Sequence, residues 1–469
     1  MKILVVRPDA IGDVVLMIPM LNSVKKSFPK ARLFTLQKSY TEPLLNNHPA
    51  VEKVLLEPSR KHFFSYVRWL KSFHFDAVIL SYCDGFYASL MWAARIPIRI
   101  GDNNKVISRI FLNRGVVQPF RRLTWHETQQ NTVLLDGFLM PIQRSDTMDL
   151  YCEVESEKRV AAWCLSQNST KKWIGIHPTT GGGNRAWTAP HYARLISLIY
   201  QKTEYEVVLT GSGKKDASVA EEICARCDTK PKNGVNQFSL DELKSLIKRC
   251  DVFIGTDTGP THMAAALQVP VICISPTKFV KSLRWGPWGV KNKIVGHPDR
   301  CEFVCNPHVC CRPDCLDAIR PEEVFENISP LLNATFSKKK NLKEWISSSL
   351  NSLCYFSDPN QLEQLKEGIK QLESHGLRYY LASPPRYTEL LKKTFPTRLI
   401  WQLSENNPVS LLAWMAKRDI NVVHLYPFKH VWKWRVYRQL LGPFIYCPPV
   451  IMKPIQSKKA LIQSYEAAF

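Results

Sequence analysis

The chain has 469 residues, 45% of them hydrophobic and 11% aromatic, which is enough to pack two or three domains and argues against a disordered chain. Lysine and arginine number 63 against 41 aspartate and glutamate, a formal net charge of +22. A balance this basic points to a polyanionic partner (nucleic acid, an anionic membrane surface or a phosphorylated glycolipid), with solubility as the plainer use of charge. No run of about 18 apolar residues occurs, so no spanning helix is expected. The apolar start is closed by Arg7 and Asp9, so no secretory signal is expected either. The expected location is the cytoplasm, with the 14 cysteines mostly reduced.

In chain order, residues 3–6 read as a buried strand and 14–27 as the helix that follows it. Residues 31–36, 51–56 and 77–80 read as further strands. Such alternation predicts a parallel, doubly wound α/β domain. The first turn, Arg7-Pro8-Asp9-Ala10-Ile11-Gly12-Asp13, joins strand to helix. Gly12 permits a tight turn there. Asp13 at a helix start reads either as an ordinary N-cap or as a general base at the top of the sheet.

A second alternating block begins with a strand at 173–177. It continues through a helix at 190–202, strands at 206–210 and 252–255, a helix at 240–248 and a strand at 269–274. Ligands of open α/β sheets bind beyond the carboxyl ends of the strands, and this block carries three candidate segments there. Pro178-Thr179-Thr180-Gly181-Gly182-Gly183-Asn184-Arg185 offers hydroxyls, backbone N–H groups and a cation, which suits phosphate; it also reads as a flexible glycine-rich loop. Asp257-Thr258-Gly259-Pro260-Thr261-His262 sits between a strand and an alanine-rich helix start, where N–H groups and the helix dipole favour an anion such as a sugar diphosphate. Arg284-Trp285-Gly286-Pro287 reads equally as a cleft-lining segment and as a turn around a packed tryptophan.

Between 301 and 315 stand five cysteines and a histidine. Cys301, Cys305, Cys310 and Cys315 are candidate ligands of a structural zinc, with free thiols in a cysteine-rich loop as the alternative. Beyond a charged boundary at 337–341, strands are expected at 352–356, 378–381, 399–403 and 421–425. Residues 336–469 hold 20 basic and 9 acidic side chains, half the net charge of the chain. There Lys429, Lys433, Arg435 and Arg438 interleave with Phe428, Trp432, Trp434 and Tyr437. That pattern reads as a helix packed on its own core, as a membrane-interface contact or as a stacking surface for single-stranded nucleic acid.

Taken together and in this order, the four turns resemble glycosyltransferase family 9, the bacterial heptosyltransferases, over residues 1 to about 330. The resemblance implies a GT-B fold, two Rossmann-like domains facing a cleft. Residues 1–155 would bind the acceptor and 156–335 the nucleotide sugar, and 336–469 form a small C-terminal α/β appendage. It implies an inverting transfer of a heptose or related sugar from a nucleotide donor, ADP-heptose, to an anionic lipid-linked saccharide. The position matching Asp13 is the base. Gly12, Thr179, Thr180, Arg185, Asp257, Thr258, Gly259 and His262 would contact substrate. No cofactor is implied for catalysis, nor any nucleic acid, and the enzyme would sit peripherally on the inner face of the cytoplasmic membrane. Two positions depart from the family: Arg185 stands where lysine is usual, and Gly211-Ser212-Gly213-Lys214-Lys215-Asp216 stands where the family often carries a ribose-binding acid. The other class of reading is a non-catalytic scaffold of the same fold that binds an anionic surface or a partner enzyme.

Overall fold

The structure is a computed structural model. It describes residues 1–58, 60–103, 110–118, 125–167, 172–181, 186–275, 284–296 and 316–333. Beyond these it describes 351–356, 362–363, 365–366, 369–370, 378–383, 385–394, 400–402, 422–426 and 450–452. The chain divides into two compact units, one of Met1–Gln118 with Trp125–Phe336, the other of Ser337–Phe469 with Pro119–Thr124.

The first unit holds two six-stranded parallel sheets. One is made of β1 (Lys2–Val6), β2 (Arg32–Gln37), β3 (Lys53–Leu56), β4 (Ala77–Leu80), β5 (Ile98–Asp102) and β6 (Arg114–Val116), in the order β3-β2-β1-β4-β5-β6. Its connections carry α1 (Ile11–Val15), α2 (Ile18–Ser27), α3 (Phe63–Ser72) and α4 (Gly85–Ala93). Then α5 (Glu127–Val133) and α6 (Val154–Ser166) lead into the second sheet. Its strands are β7 (Trp173–His177), β8 (Glu206–Leu209), β9 (Lys232–Asn233), β10 (Cys250–Gly255), β11 (Val271–Ile274) and β12 (Asn292–Val295), ordered β12-β11-β10-β7-β8-β9. Here α7 (Ala189–Lys202), α8 (Lys214–Ala225), α9 (Leu240–Lys248) and α10 (Gly259–Ala266) connect strands.

Helices cover both faces of such sheets, so the central strands are apolar along their whole length. Ile3, Leu4, Val5 and Val6 of β1 and Val78, Ile79 and Leu80 of β4 are fully buried. One hydrophobic core runs through both halves: Val14, Ile18, Met20, Leu21 and Val24 from the first share it with Phe253, Met263, Ala264 and Val271 from the second. Each fully buried aliphatic side chain contributes about 1.5–3 kcal/mol.

The helix expected over 14–27 is two helices. α1 starts at Ile11 with Ala10 as N-cap, and the helix restarts at Ile18 with Pro19 in its first turn. Proline has no N–H and its ring clashes with the preceding turn, so one continuous helix cannot pass through Pro19. This corrects the N-cap reading of Asp13, which lies inside the first turn of α1.

The second unit contains a five-stranded parallel sheet of β13 (Asn351–Phe356), β14 (Arg378–Ser383), β15 (Ile400–Gln402), β16 (Val422–Tyr426) and β17 (Val450–Met452), ordered β15-β14-β13-β16-β17. In all three sheets the earliest strand lies inside, flanked by the second and the fourth in sequence. This is the doubly wound order, repeated three times without a visible sequence repeat. Among the described residues no helix is long and apolar enough to cross a membrane.

Candidate active site

The carboxyl end of β1 delivers Arg7 into a buried polar cluster. Its side chain is 6% exposed, and Nη1 donates to the Ser81 carbonyl (2.9 Å), Ser81 Oγ (3.1 Å) and Asn131 Oδ1 (3.2 Å). Nη2 donates to Asp13 Oδ1 at 2.5 Å and to Glu127 Oε1 at 3.2 Å, and Nε lies 3.1 Å from Asp9 Oδ2. Burial works against this guanidinium's charge, yet the three carboxylates outweigh it and raise its pKa. Burial in turn pushes the Asp9 carboxyl up to about 6, against the pull of Arg7 and with the push of Asp13. Asp13 is 23% exposed, so its carboxylate is held by Arg7 at the rim of the cluster and stays accessible.

The second half meets this rim through the start of α10. Thr258 is the N-cap, and Gly259 and Pro260 open the helix. Two glycines make the approach possible: a Cβ on Gly12 would stand 2.8 Å from His262 Cδ2, and one on Gly259 would stand 2.8 Å from Ile11 Cβ. His262 is buried, with Nε2 3.6 Å from Asp257 Oδ1. His262 Nδ1, Thr256 Oγ1 and Thr258 Oγ1 are buried polar atoms with no hydrogen-bond partner among the described residues. Such atoms are costly to leave unpaired, and they gather at the helix start, where a ligand would be received.

On the neighbouring strand, Gly255 pairs with His177 of β7, which leads into Thr179 and Thr180. His177 Nδ1 lies 3.2 Å from Thr210 Oγ1 and its Nε2 3.4 Å from Thr179 Oγ1; burial lowers its pKa, so the ring is neutral. Lys215 Nζ donates to the Thr180 carbonyl (3.1 Å), tying the first turn of α8 to the segment after β7. Asp216, in the same helical turn, accepts from Ser212 N (2.8 Å) and so serves the turn between β8 and α8.

The structure therefore brings Gly12, Asp13, Asp257, Thr258, Gly259 and His262 together, with Thr179 and Thr180 on the adjoining strand end. Arg185 and the zinc candidates Cys301, Cys305, Cys310 and Cys315 lie outside the described residues, as does the aromatic and cationic run after Tyr426. Among the described residues no group of His, Cys, Asp and Glu is arranged to hold a metal.

Sequence reasoning missed Glu127, which is 3% exposed and also receives Arg284 Nε (3.1 Å) and Nη2 (2.9 Å) from the second half. One signal was available: His126-Glu127-Thr128-Gln129 opens α5 with a capping box. It marks a helix start and does not by itself single out the acid. In Arg284-Trp285-Gly286-Pro287 the tryptophan packs against the shared core, as one of the two readings has it, and the segment lies against the start of α5. Arg284 packs against its own Trp285 (5.0 Å), and the Gly286 carbonyl lies 2.8 Å from His126 Nε2.

Residues 63–310 match the family model of glycosyltransferase family 9 (heptosyltransferase). The chain is 25% identical over 294 residues to lipopolysaccharide heptosyltransferase 3 of Escherichia coli K12, covering 59% of this chain and 82% of that one. Among solved structures it resembles a family 9 glycosyl transferase from Veillonella parvula, with a TM-score of 0.62 at 19% identity over 71% of this chain and 97% of that one. It also resembles E. coli ADP-heptose LPS heptosyltransferase II, with a TM-score of 0.57 at 22% identity over 71% and 98%. Both likenesses are in fold, the two-sheet GT-B architecture.

Proposed function

Since the chain belongs to glycosyltransferase family 9, we propose that it moves a heptose from ADP-heptose to a lipopolysaccharide inner-core or similar anionic glycolipid acceptor, with inversion at the anomeric carbon. The observation that carries this reading is the accessible Asp13 carboxylate, anchored by Arg7 at 2.5 Å beside the start of α10. Asp13 takes the proton of the acceptor hydroxyl while that oxygen attacks the anomeric carbon. The bond from that carbon to the diphosphate oxygen breaks, and the electron pair leaves with the diphosphate. The start of α10, with the unpaired Thr258 hydroxyl and His262 Nδ1, receives that charge, and Arg185 adds a cation. Residues 1–155 hold the acceptor and 156–335 the donor.

The acceptor is anionic, and the net charge of +22 supports a peripheral position on the inner face of the cytoplasmic membrane. The test is nucleotide release by the full chain with ADP-heptose and a delipidated inner-core acceptor, for wild type and Asp13→Asn. The expected result is release that needs both substrates and is abolished by Asp13→Asn, with donor affinity nearly unchanged. Undiminished release by Asp13→Asn would put the base elsewhere. Donor binding without release would return the scaffold reading.

A further inference from the structure

Glu127 divides its two carboxylate oxygens between the halves of the first unit. Oε1 accepts from Arg7 Nη2 at 3.2 Å, and Oε2 accepts from Arg284 Nε and Nη2 at 3.1 and 2.9 Å. Arg7 Nη2 is the same nitrogen that holds Asp13 Oδ1 at 2.5 Å. The chain of contacts from the second half to the base is thus Arg284, Glu127, Arg7, Asp13, each member in direct hydrogen-bond contact with the next.

The neighbouring residue secures the same segment. His126 Nδ1 accepts from Thr128 N (3.2 Å), so the neutral ring carries its proton on Nε2, which donates to the Gly286 carbonyl at 2.8 Å. Trp288 lies over the His126 ring, with centroids 4.6 Å apart, and its Nε1 donates to the Asp146 carbonyl (3.2 Å). Two adjacent residues at the start of α5 therefore dock residues 284–288.

We infer that Glu127 is a positioning residue that makes the orientation of Asp13 depend on the docking of Arg284. The inference rests on the reading of Asp13 as the base. Glu127 is 3% exposed between its two cations, and a carboxylate that loses one of two arginines leans harder on the other. With Arg284 docked, Oε2 is taken, and Glu127 shares Arg7 Nη2 with Asp13 only through Oε1, the longer of that nitrogen's two contacts. With Arg284 withdrawn, the whole carboxylate faces Arg7 and competes with Asp13 for Nη2. The base is then released from its anchor when the segment at 284–288 is undocked.

The experiment uses the full chain with Glu127→Gln, Glu127→Asp, Arg284→Ala and the double variant Glu127→Gln/Arg284→Ala. Release is assayed beside wild type and Asp13→Asn. Loss of alignment at the base lowers kcat about 10- to 100-fold in Glu127→Gln and Arg284→Ala, with donor KM within about twofold of wild type. The double variant is no slower than the worse single one, because both break one chain of contacts. Glu127→Asp recovers part of the rate. Hydrogen exchange of residues 285–290, read without substrate, is faster in both single variants than in wild type. Wild-type kcat in Glu127→Gln, losses that multiply in the double variant, or unchanged exchange beside a lost rate would each overturn the inference. If wild type itself releases no nucleotide, the transfer reading fails and the inference falls with it; the exchange result then reports only on docking.

Discussion

Asp13 takes its place from two features of its turn. α1 begins at Ile11, which lifts Asp13 onto the first turn, and Gly12 lets the His262 ring come against the backbone. Gly12→Ala inserts a methyl 2.8 Å from His262 Cδ2, an overpacking expected to cost about 1–3 kcal/mol. It should lower both the urea midpoint and kcat; unchanged kcat would show that the His262 ring does not need its present place. Asp9 tests the neighbouring charge. Its folded pKa of about 6 lies above the ordinary 3.8, so keeping it ionised inside the fold opposes stability once the pH passes the folded value. Asp9→Asn is expected to raise the melting temperature at pH 7, with the gain fading as the pH falls through about 6 and gone near the ordinary value of 3.8. Arg7, Gly12, Asp13, Asp257 and His262 were legible because each lies in a strand-to-helix turn whose residue types announce it. Glu127 was not, because its role comes from the strand order that lays the start of α5 beside Arg7.

Elements with a plain local pattern coincide with their expected bounds: β4 and β7, apolar along their length, fall at 77–80 and 173–177, and α9, amphipathic and opened by a capping box, at 240–248. Edge strands such as β6 and β9 were not foreseen, because Arg114-Gly115-Val116 and Lys232-Asn233 carry no apolar run, and backbone pairing alone makes them strands. The break between α1 and α2 was written in Pro19 and overlooked. α9 also carries Lys244, whose buried Nζ donates to the Pro43 carbonyl (2.6 Å) and the Tyr151 carbonyl (2.9 Å) and lies 2.6 Å from Asp241. One ammonium thereby pins the second half to the first and to the chain that joins them. Lys244→Met leaves these acceptors unpaired, a loss of about 3 kcal/mol that urea unfolding would register. A midpoint equal to wild type would mean that water reaches the site.

For the whole molecule, burial sets the response to acid. It pushes His126 down to about 3 and His48 to about 4, and it lowers His177. Below the ordinary value of 6.5 the unfolded chain takes up these protons and the folded chain does not, so stability falls with pH, by about 1.4 kcal/mol per unit for each histidine until its folded value is reached. Asp9 acts in the opposite sense and is outnumbered. The urea midpoint should drop steadily from pH 7 to pH 5, and a flat profile would contradict the burial of these rings. The second unit belongs to this scale too. Its strands at 351–356, 378–383, 400–402 and 422–426 were legible, and β17 was not. Removing residues 336–469, with half the net charge, is expected to weaken binding to anionic vesicles more than transfer to a soluble acceptor. Equal loss of both would make the unit structural.

The strand order shared by the three sheets also bears on how the protein is made. Each sheet starts with an inner strand, so a growing nascent chain lays down the middle of the sheet before its flanks. β1 emerges first and waits for β2 and β4, as β7 waits for β8 and β10. Ile11 and Gly12 meet Gly259 and His262 only after the ribosome has delivered most of the second sheet. Synthesis cut short before that point leaves the turn that carries Asp13 without the start of α10 against it.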